Sequence, residues 1–264
     1  MKFFIISLLS CAGLCAQEAV LLEKLPLGAS TFIATDAYNS TYYTKNGVLY
    51  KQGGQGSFQF NDFTLGAVTS VDVINPLNIV VFYQGANTVV LLDNRLSEIE
   101  RFSFNSLPEI VNVGTATNAG NNRLWIFNID TQQLERYDYR TRKRTPLSQP
   151  FTGAPTAVAS NFNYAAIATE NKISLLNIYG ALVFETAANG FEQLFLQHEN
   201  VYGTKQNELF FIVNSTRPNE RTASKRIKIP LPEITLERLF FAQDLLYIYD
   251  GNTRYTFLLK QPKK

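Results

Sequence analysis

A grammar of short strands recurs along this chain at intervals close to forty residues, and a period of that size limits the fold more than any composition figure does. The middle unit is the clearest. Residues 70–74 read as a strand stopped by Asn75-Pro76, and 79–83 as a second stopped by Gln84-Gly85-Ala86-Asn87. Residues 88–92 form a third, stopped by Asp93-Asn94, and 99–104 a fourth. The two central segments are continuous apolar runs, the mark of strands buried on both faces. The fourth alternates, with Phe102 and Phe104 against Arg101 and Ser103, the mark of a half-buried strand.

The same pattern predicts units at 31–37, 41–44, 48–51 and 57–60, and at 109–113, 123–129 and 134–139. Two more follow at 155–160, 164–169, 173–178 and 182–186, and at 192–196, 200–204, 209–214 and 226–229. The last unit has only three strands, 236–241, 245–249 and 254–259, while residues 19–25 form an orphan strand near the start. Orphan and gap fit one another. A ring in which one end of the chain completes the blade begun by the other leaves no unpaired pair of ends. One position per first strand, Phe32, Val71, Val111, Val158, Leu194 and Leu239, gives steps of 39, 40, 47, 36 and 45 residues. With 20 Phe and 13 Tyr, the chain is rich in residues that pack well on pleated surfaces.

On these residues the chain resembles the broad β-propeller superfamily over 17–264. The segment Leu124-Trp125-Ile126-Phe127-Asn128-Ile129-Asp130 with Leu134 and Tyr137, and the run 173–177 followed by Gly180, are similar to strand–turn–strand cores of propeller blades. The tryptophan–aspartate dipeptide of WD-type repeats is absent. The resemblance implies an all-β propeller of six four-stranded blades, with the N-terminal strand closing the last; a different split of the end units would give five or seven. It implies an architecture and not a function.

The first residues stand apart from the repeats. Lys2 is followed by the apolar run 3–9 and a mostly small segment to Ala16, the pattern of an export signal. Residues 1–16 are therefore expected to be a signal peptide, with the mature chain beginning at Gln17. Leu8-Leu9-Ser10-Cys11 offers a competing reading as a lipoprotein box acylated at Cys11. Both cysteines, Cys11 and Cys15, lie in this leader, so the mature chain needs no disulfide. The expected location is the periplasm or the outer membrane. No later segment is apolar enough to cross a bilayer as a helix. A net charge of +2, or +1 without Lys2, argues against a polyanion binder, and export argues against nucleic acid.

Catalytic motifs are missing. There is no Gly-x-Ser-x-Gly elbow, no phosphate loop and no zinc-binding histidine pair, and His198 is the one histidine. It reads as a surface turn residue. Asp93-Asn94 and Asp250-Gly251-Asn252 carry oxygens suited to calcium, but they also suit the backbone of tight turns, and the turn reading is preferred. Glu98 and Glu100 share a strand face, and Glu233 and Glu237 flank a blade start. Asp36, Asp72, Glu192 and Glu237 are candidates for an acidic ring around a central channel. Two basic clusters are candidate partner-binding sites: Arg136, Arg140, Arg142, Lys143 and Arg144, and Arg217, Arg221, Lys225, Arg226 and Lys228. As a solvated edge they would discourage strand pairing; as a patch they would suit an acidic partner or lipid phosphates. The polar stretch 214–224 reads as a long binding loop.

The expectation is thus a non-enzymatic binding or scaffold protein of the bacterial envelope without cofactor, meeting an envelope protein partner. In role it resembles the propeller subunits of outer-membrane assembly and secretion machines. A channel-centred, metal-assisted hydrolase or lactonase is the alternative, discriminated by three or more carboxylates converging on the channel. A carbohydrate- or peptide-binding propeller is the third reading, and would group Tyr38, Tyr42, Tyr43, Phe58 and Phe63 on one rim.

Overall fold

The computed structural model describes residues 18–187, 190–212, 226–242 and 245–260. Strand β1 spans Glu18–Pro26. Blade 1 follows as β2 Thr31–Thr35, β3 Thr41–Lys45, β4 Val48–Gly53 and β5 Gly56–Phe60. Blade 2 is β6 Ser70–Asp72, β7 Ile79–Tyr83, β8 Thr88–Leu92 and β9 Glu98–Ser103. Blade 3 is β10 Val113–Asn118, β11 Arg123–Asn128, β12 Gln133–Asp138 and β13 Lys143–Pro146. Blade 4 is β14 Ala157–Ser160, β15 Tyr164–Ala168, β16 Lys172–Asn177 and β17 Leu182–Ala187. Blade 5 is β18 Gln193–Gln197, β19 Asn200–Lys205, β20 Glu208–Ile212 and β21 Arg226–Ile229. Blade 6 is β22 Arg238–Ala242, β23 Leu245–Tyr249 and β24 Thr253–Lys260, completed by β1 on its outer edge.

Every blade is an antiparallel four-stranded meander. First strands lie side by side around the centre: β10 beside β6 and β14, β14 beside β18, β18 beside β22, and β22 beside β2. The protein is therefore a six-bladed β-propeller. Closure is by the two ends of the chain, as the orphan strand predicts. β1 pairs with β24 from Glu18 opposite Lys260 to Pro26 opposite Thr253. The buried Arg254 guanidinium reaches the Glu23 carboxylate at 2.6 Å and, in blade 1, the Thr41 hydroxyl.

Packing follows the burial logic of the sequence. All of β7 and β8 is buried, as their unbroken apolar runs require. Six apolar cores lie between neighbouring blades, one per pair. The one between blades 6 and 1 holds Leu27, Phe32, Tyr247 and Tyr249. Fully burying an aromatic or aliphatic side chain contributes about 1.5–3 kcal/mol, so these seams are what hold the ring. The Trp125 ring is buried at the seam of blades 3 and 4, and its indole N–H donates to the Asn161 carbonyl at 2.8 Å.

Two expectations are corrected. The inner strand of blade 3 is β10, and residues 109–112 form the connection leading into it, so Val111 lies outside a first strand. Val111 and Val113 are buried there, and that apolar signal imitates a strand. The fourth strand of this blade, β13, carries Lys143 and Arg144 and lacks an apolar run altogether. Among the glycines, Gly180 is required by its turn: its φ is +86°, and a Cβ there would sit 2.7 Å from the Leu147 carbonyl.

Candidate functional site

Because every blade is a meander, all inner strands run the same way along the channel. Each mouth is thus ringed by equivalent chain positions. We call the side where inner strands end the C-face and the side where they begin the N-face. The C-face mouth holds a hollow of about 630 Å³, and the N-face mouth one of about 390 Å³.

The walls of the C-face hollow come from blades 1, 2, 4, 5 and 6. Its rim is built by short Asn-rich turns. The Asn161 side chain accepts from the backbone of Asn163 and Tyr164 and donates to the His198 carbonyl at 2.6 Å, while its own carbonyl is held by Trp125. Blades 3, 4 and 5 therefore fix one another at this rim. Asn75 orders the next turn by accepting from Leu77 N–H. What these turns present is apolar: Leu77 is 63% exposed, Tyr38 64% and Phe162 38%, with Tyr179 at 84% farther out. His198 sits in an exposed left-handed turn at φ +56°, as its sequence neighbours suggest, beside the exposed Glu199.

The four acids proposed as a channel ring do not meet. Asp36 follows and Asp72 ends an inner strand at the C-face, and Glu192 and Glu237 precede inner strands at the N-face. Asp36 is fully buried and accepts from Tyr38 N–H, Ser40 N–H and the Tyr42 hydroxyl, with the Lys51 ammonium 3.7 Å away. Burial, together with the Asp36 charge, pushes the Tyr42 phenol far above its ordinary value. Asp72 accepts from Ile74 N–H at 2.9 Å and from Asn118 N–H of blade 3 at 2.7 Å. Its burial raises its carboxyl pKa, against the pull of those two donors. Glu192 accepts from Gln206 N–H, and the Glu237 carbonyl accepts from the Gln193 amide. Among the described residues, no three His, Cys, Asp or Glu side chains are placed to hold a metal ion.

Asp93 and Asp250 act as turn acceptors, for Arg95 and Ser97 N–H and for Asn252 and Thr253 N–H. Glu98 pairs with Arg101, which Asp62 also meets, and Glu100 with Arg140. The Thr64 hydroxyl and the Arg101 guanidinium hold Asp62 below the usual carboxylate range. The aromatics proposed for a single rim are scattered. Tyr42 is buried, Tyr43 stacks on Tyr50 at 5.3 Å, and Phe58 packs into the seam of blades 1 and 2. Tyr38 is at the C-face and Phe63 at the N-face.

The first basic cluster divides by role. Arg136 donates to the Ile178 carbonyl of blade 4, and Arg144 pairs with Glu135 and Glu109. Arg140 lies over the Tyr139 ring and near Glu100. Arg142 and Lys143 are exposed at the C-face edge. In the second cluster, Arg226 lies over the Phe191 ring and Lys228 pairs with Glu208. Arg217, Arg221 and Lys225, the loop 214–224 and the leader 1–16 lie outside the described residues. Sequence reasoning missed the rim residues Leu77, Phe162 and Tyr179. The signal for them was an apolar residue set inside an Asn-, Pro- or Gly-bearing turn.

No family model matches the chain, and no curated protein matches it in sequence. Solved structures do match it in shape. Virginiamycin B lyase from Staphylococcus aureus superposes with a TM-score of 0.59 at 11% identity, over 90% of this chain and 99% of the other. BamB from Moraxella catarrhalis gives 0.52 at 9% identity, over 93% and 99%. A chain of the mitotic checkpoint complex gives 0.60 at 11% identity, over 99% and 98%. A lyase and a member of a multiprotein complex thus share this shape, and at such identities the likeness carries the fold alone. The chain is similar to propeller proteins along nearly its whole length, and it belongs to the β-propeller architecture without a specific family.

Proposed function

We propose that this protein is an exported, non-enzymatic binding protein of the bacterial cell envelope that holds a protein partner at its C-face. The carrying observation is the C-face rim. Phe162 lines a hollow of about 630 Å³, and Leu77 and Tyr38 stand exposed on the turns flanking it, turns that hydrogen bonds hold in place. Apolar side chains held rigidly around a concavity suit a partner's side chain, since little ordering entropy is lost on contact. The two buried acids at this mouth speak against a hydrolytic site, because Asp36 and Asp72 already accept the fold's own donors and leave Glu199 as the exposed carboxylate lining the hollow. The leader-like start, with its basic Lys2 and apolar run, supports export.

The test is an affinity pull-down of the mature protein, tagged at its C-terminus and crosslinked in its native envelope, read by mass spectrometry. A stoichiometric envelope protein that is lost with Leu77→Ser and Phe162→Ser is the expected result. Recovery of nothing above background, or of the same protein with both variants, would overturn the reading.

A further inference from the structure

Charge is sorted between the two faces. The connections that build the N-face run over 27–30, 46–47, 61–69, 84–87, 104–112, 129–132, 147–156, 169–171, 190–192, 206–207, 230–237 and 250–252. Together they carry eight carboxylates, from Asp62 to Asp250, and no lysine or arginine. Bases stand at the strand ends beside them, Lys45, Lys172, Lys205, Lys228 and Arg238, of which Lys172 and Lys228 pair with Glu185 and Glu208. The C-face edge differs. Its outer turns in blades 2 and 3 hold Arg95, Arg140 and Arg142, with Lys143 opening β13. Arg140 meets Glu100 at 3.4 Å, which leaves Arg95, Arg142 and Lys143 as the main cationic side chains; of the other acids beside them, Asp93 and Asp138 accept backbone N–H groups of their own turns, and Glu98 pairs with Arg101. Next along the same edge, Tyr179 and Leu182 stand 84% and 56% exposed.

We propose that this arc, the outer turns of blades 2 to 4, is a contact surface for an anionic phospholipid membrane. The proposal rests on the envelope location argued above. Bases flanking an exposed tyrosine and leucine match the headgroup zone, where cations meet lipid phosphates while an amphipathic ring and an aliphatic side chain sit at the boundary of the acyl chains. The N-face, whose connections carry acids and whose bases are confined to strand ends, is the less attractive side for the same surface, so the charge pattern favours one orientation. A ring leaning on blades 2 to 4 leaves the central mouth open to a protein partner.

The experiment is flotation of the mature protein with vesicles of phosphatidylglycerol and phosphatidylethanolamine, against vesicles of phosphatidylcholine alone. Binding to the anionic vesicles that weakens steeply with salt is expected, with little binding to phosphatidylcholine. Each base near such a surface is worth about fivefold in partitioning, so Arg142→Glu with Lys143→Glu should weaken binding at least about tenfold. Tyr179→Ser should weaken it several-fold, and Glu233→Gln on the N-face should leave it unchanged. No preference for anionic vesicles, or equal binding by the charge-reversed variant, would overturn the proposal. A partner captured by the pull-down together with failed flotation would remove the lipid contact and leave the protein-binding reading standing.

Discussion

Asp72 ends the inner strand of blade 2 and takes a backbone donor from blade 3 with its charge withdrawn from water. Burial raises its carboxyl pKa above the ordinary 3.8, so the folded protein keeps this proton to a higher pH than the unfolded chain does. Its contribution to stability is complete below the ordinary value and falls as pH rises through the raised one. Asp62 and Asp130 act in the opposite sense: hydrogen bonds from Thr64 and from Asn112 lower them, and their contribution is lost as pH falls. In Asp72→Asn, one of the two N–H donors loses its acceptor, a change worth on the order of 1–3 kcal/mol. Urea midpoints measured from pH 4 to pH 7 should show the largest advantage of wild type at the acid end, narrowing upward. A gap that stays constant would mean that Asp72 titrates like a solvated acid. Here the sequence was a partial guide. An aspartate after an inner strand can face the channel or fold back onto the next turn's N–H groups, and both choices leave the same letter in the chain. Asp36 and Asp72 took the second course, which pairs donors that burial would otherwise strand.

Elements were more legible than residues where burial was two-sided. The limits of β7, β8, β21 and β23 follow directly from their apolar or alternating runs, because the strand period and the turn residues agree. Legibility failed in blade 3 for a physical reason. One side of β10 faces the channel at the crowded centre, so it is written Val-Gly-Thr-Ala-Thr-Asn, small and weakly apolar. The apolar signal sits instead in the connection before it, which plugs the seam with blade 2. Strand β1 is the element on which closure depends. Deleting residues 17–25 from the mature chain should strip β24 of its outer partner and leave the buried Arg254 without Glu23. A loss of more than about 3 kcal/mol in urea unfolding is expected, a large share of a domain's stability. An unchanged midpoint would mean that the ring does not need its seal.

The whole molecule has two unlike ends. A strict meander forces all inner strands into one direction, so sequence features at equivalent turns accumulate on the same face. The repeat makes the ring readable from the sequence, but which turn side chains stand out together depends on how the blades are set around the axis. Leu77, Phe162 and Tyr179 are separated by dozens of residues and share a face only after closure. The central claim is that the C-face, and not the acidic N-face, meets the protein partner. The direct measurement is site-specific photo-crosslinking in the native envelope, with the reactive side chain at position 162 on the C-face and, separately, at position 110 on the N-face. A discrete protein adduct from 162 and none from 110 is the result this account requires. An adduct from 110 alone, or none from either position, would contradict it.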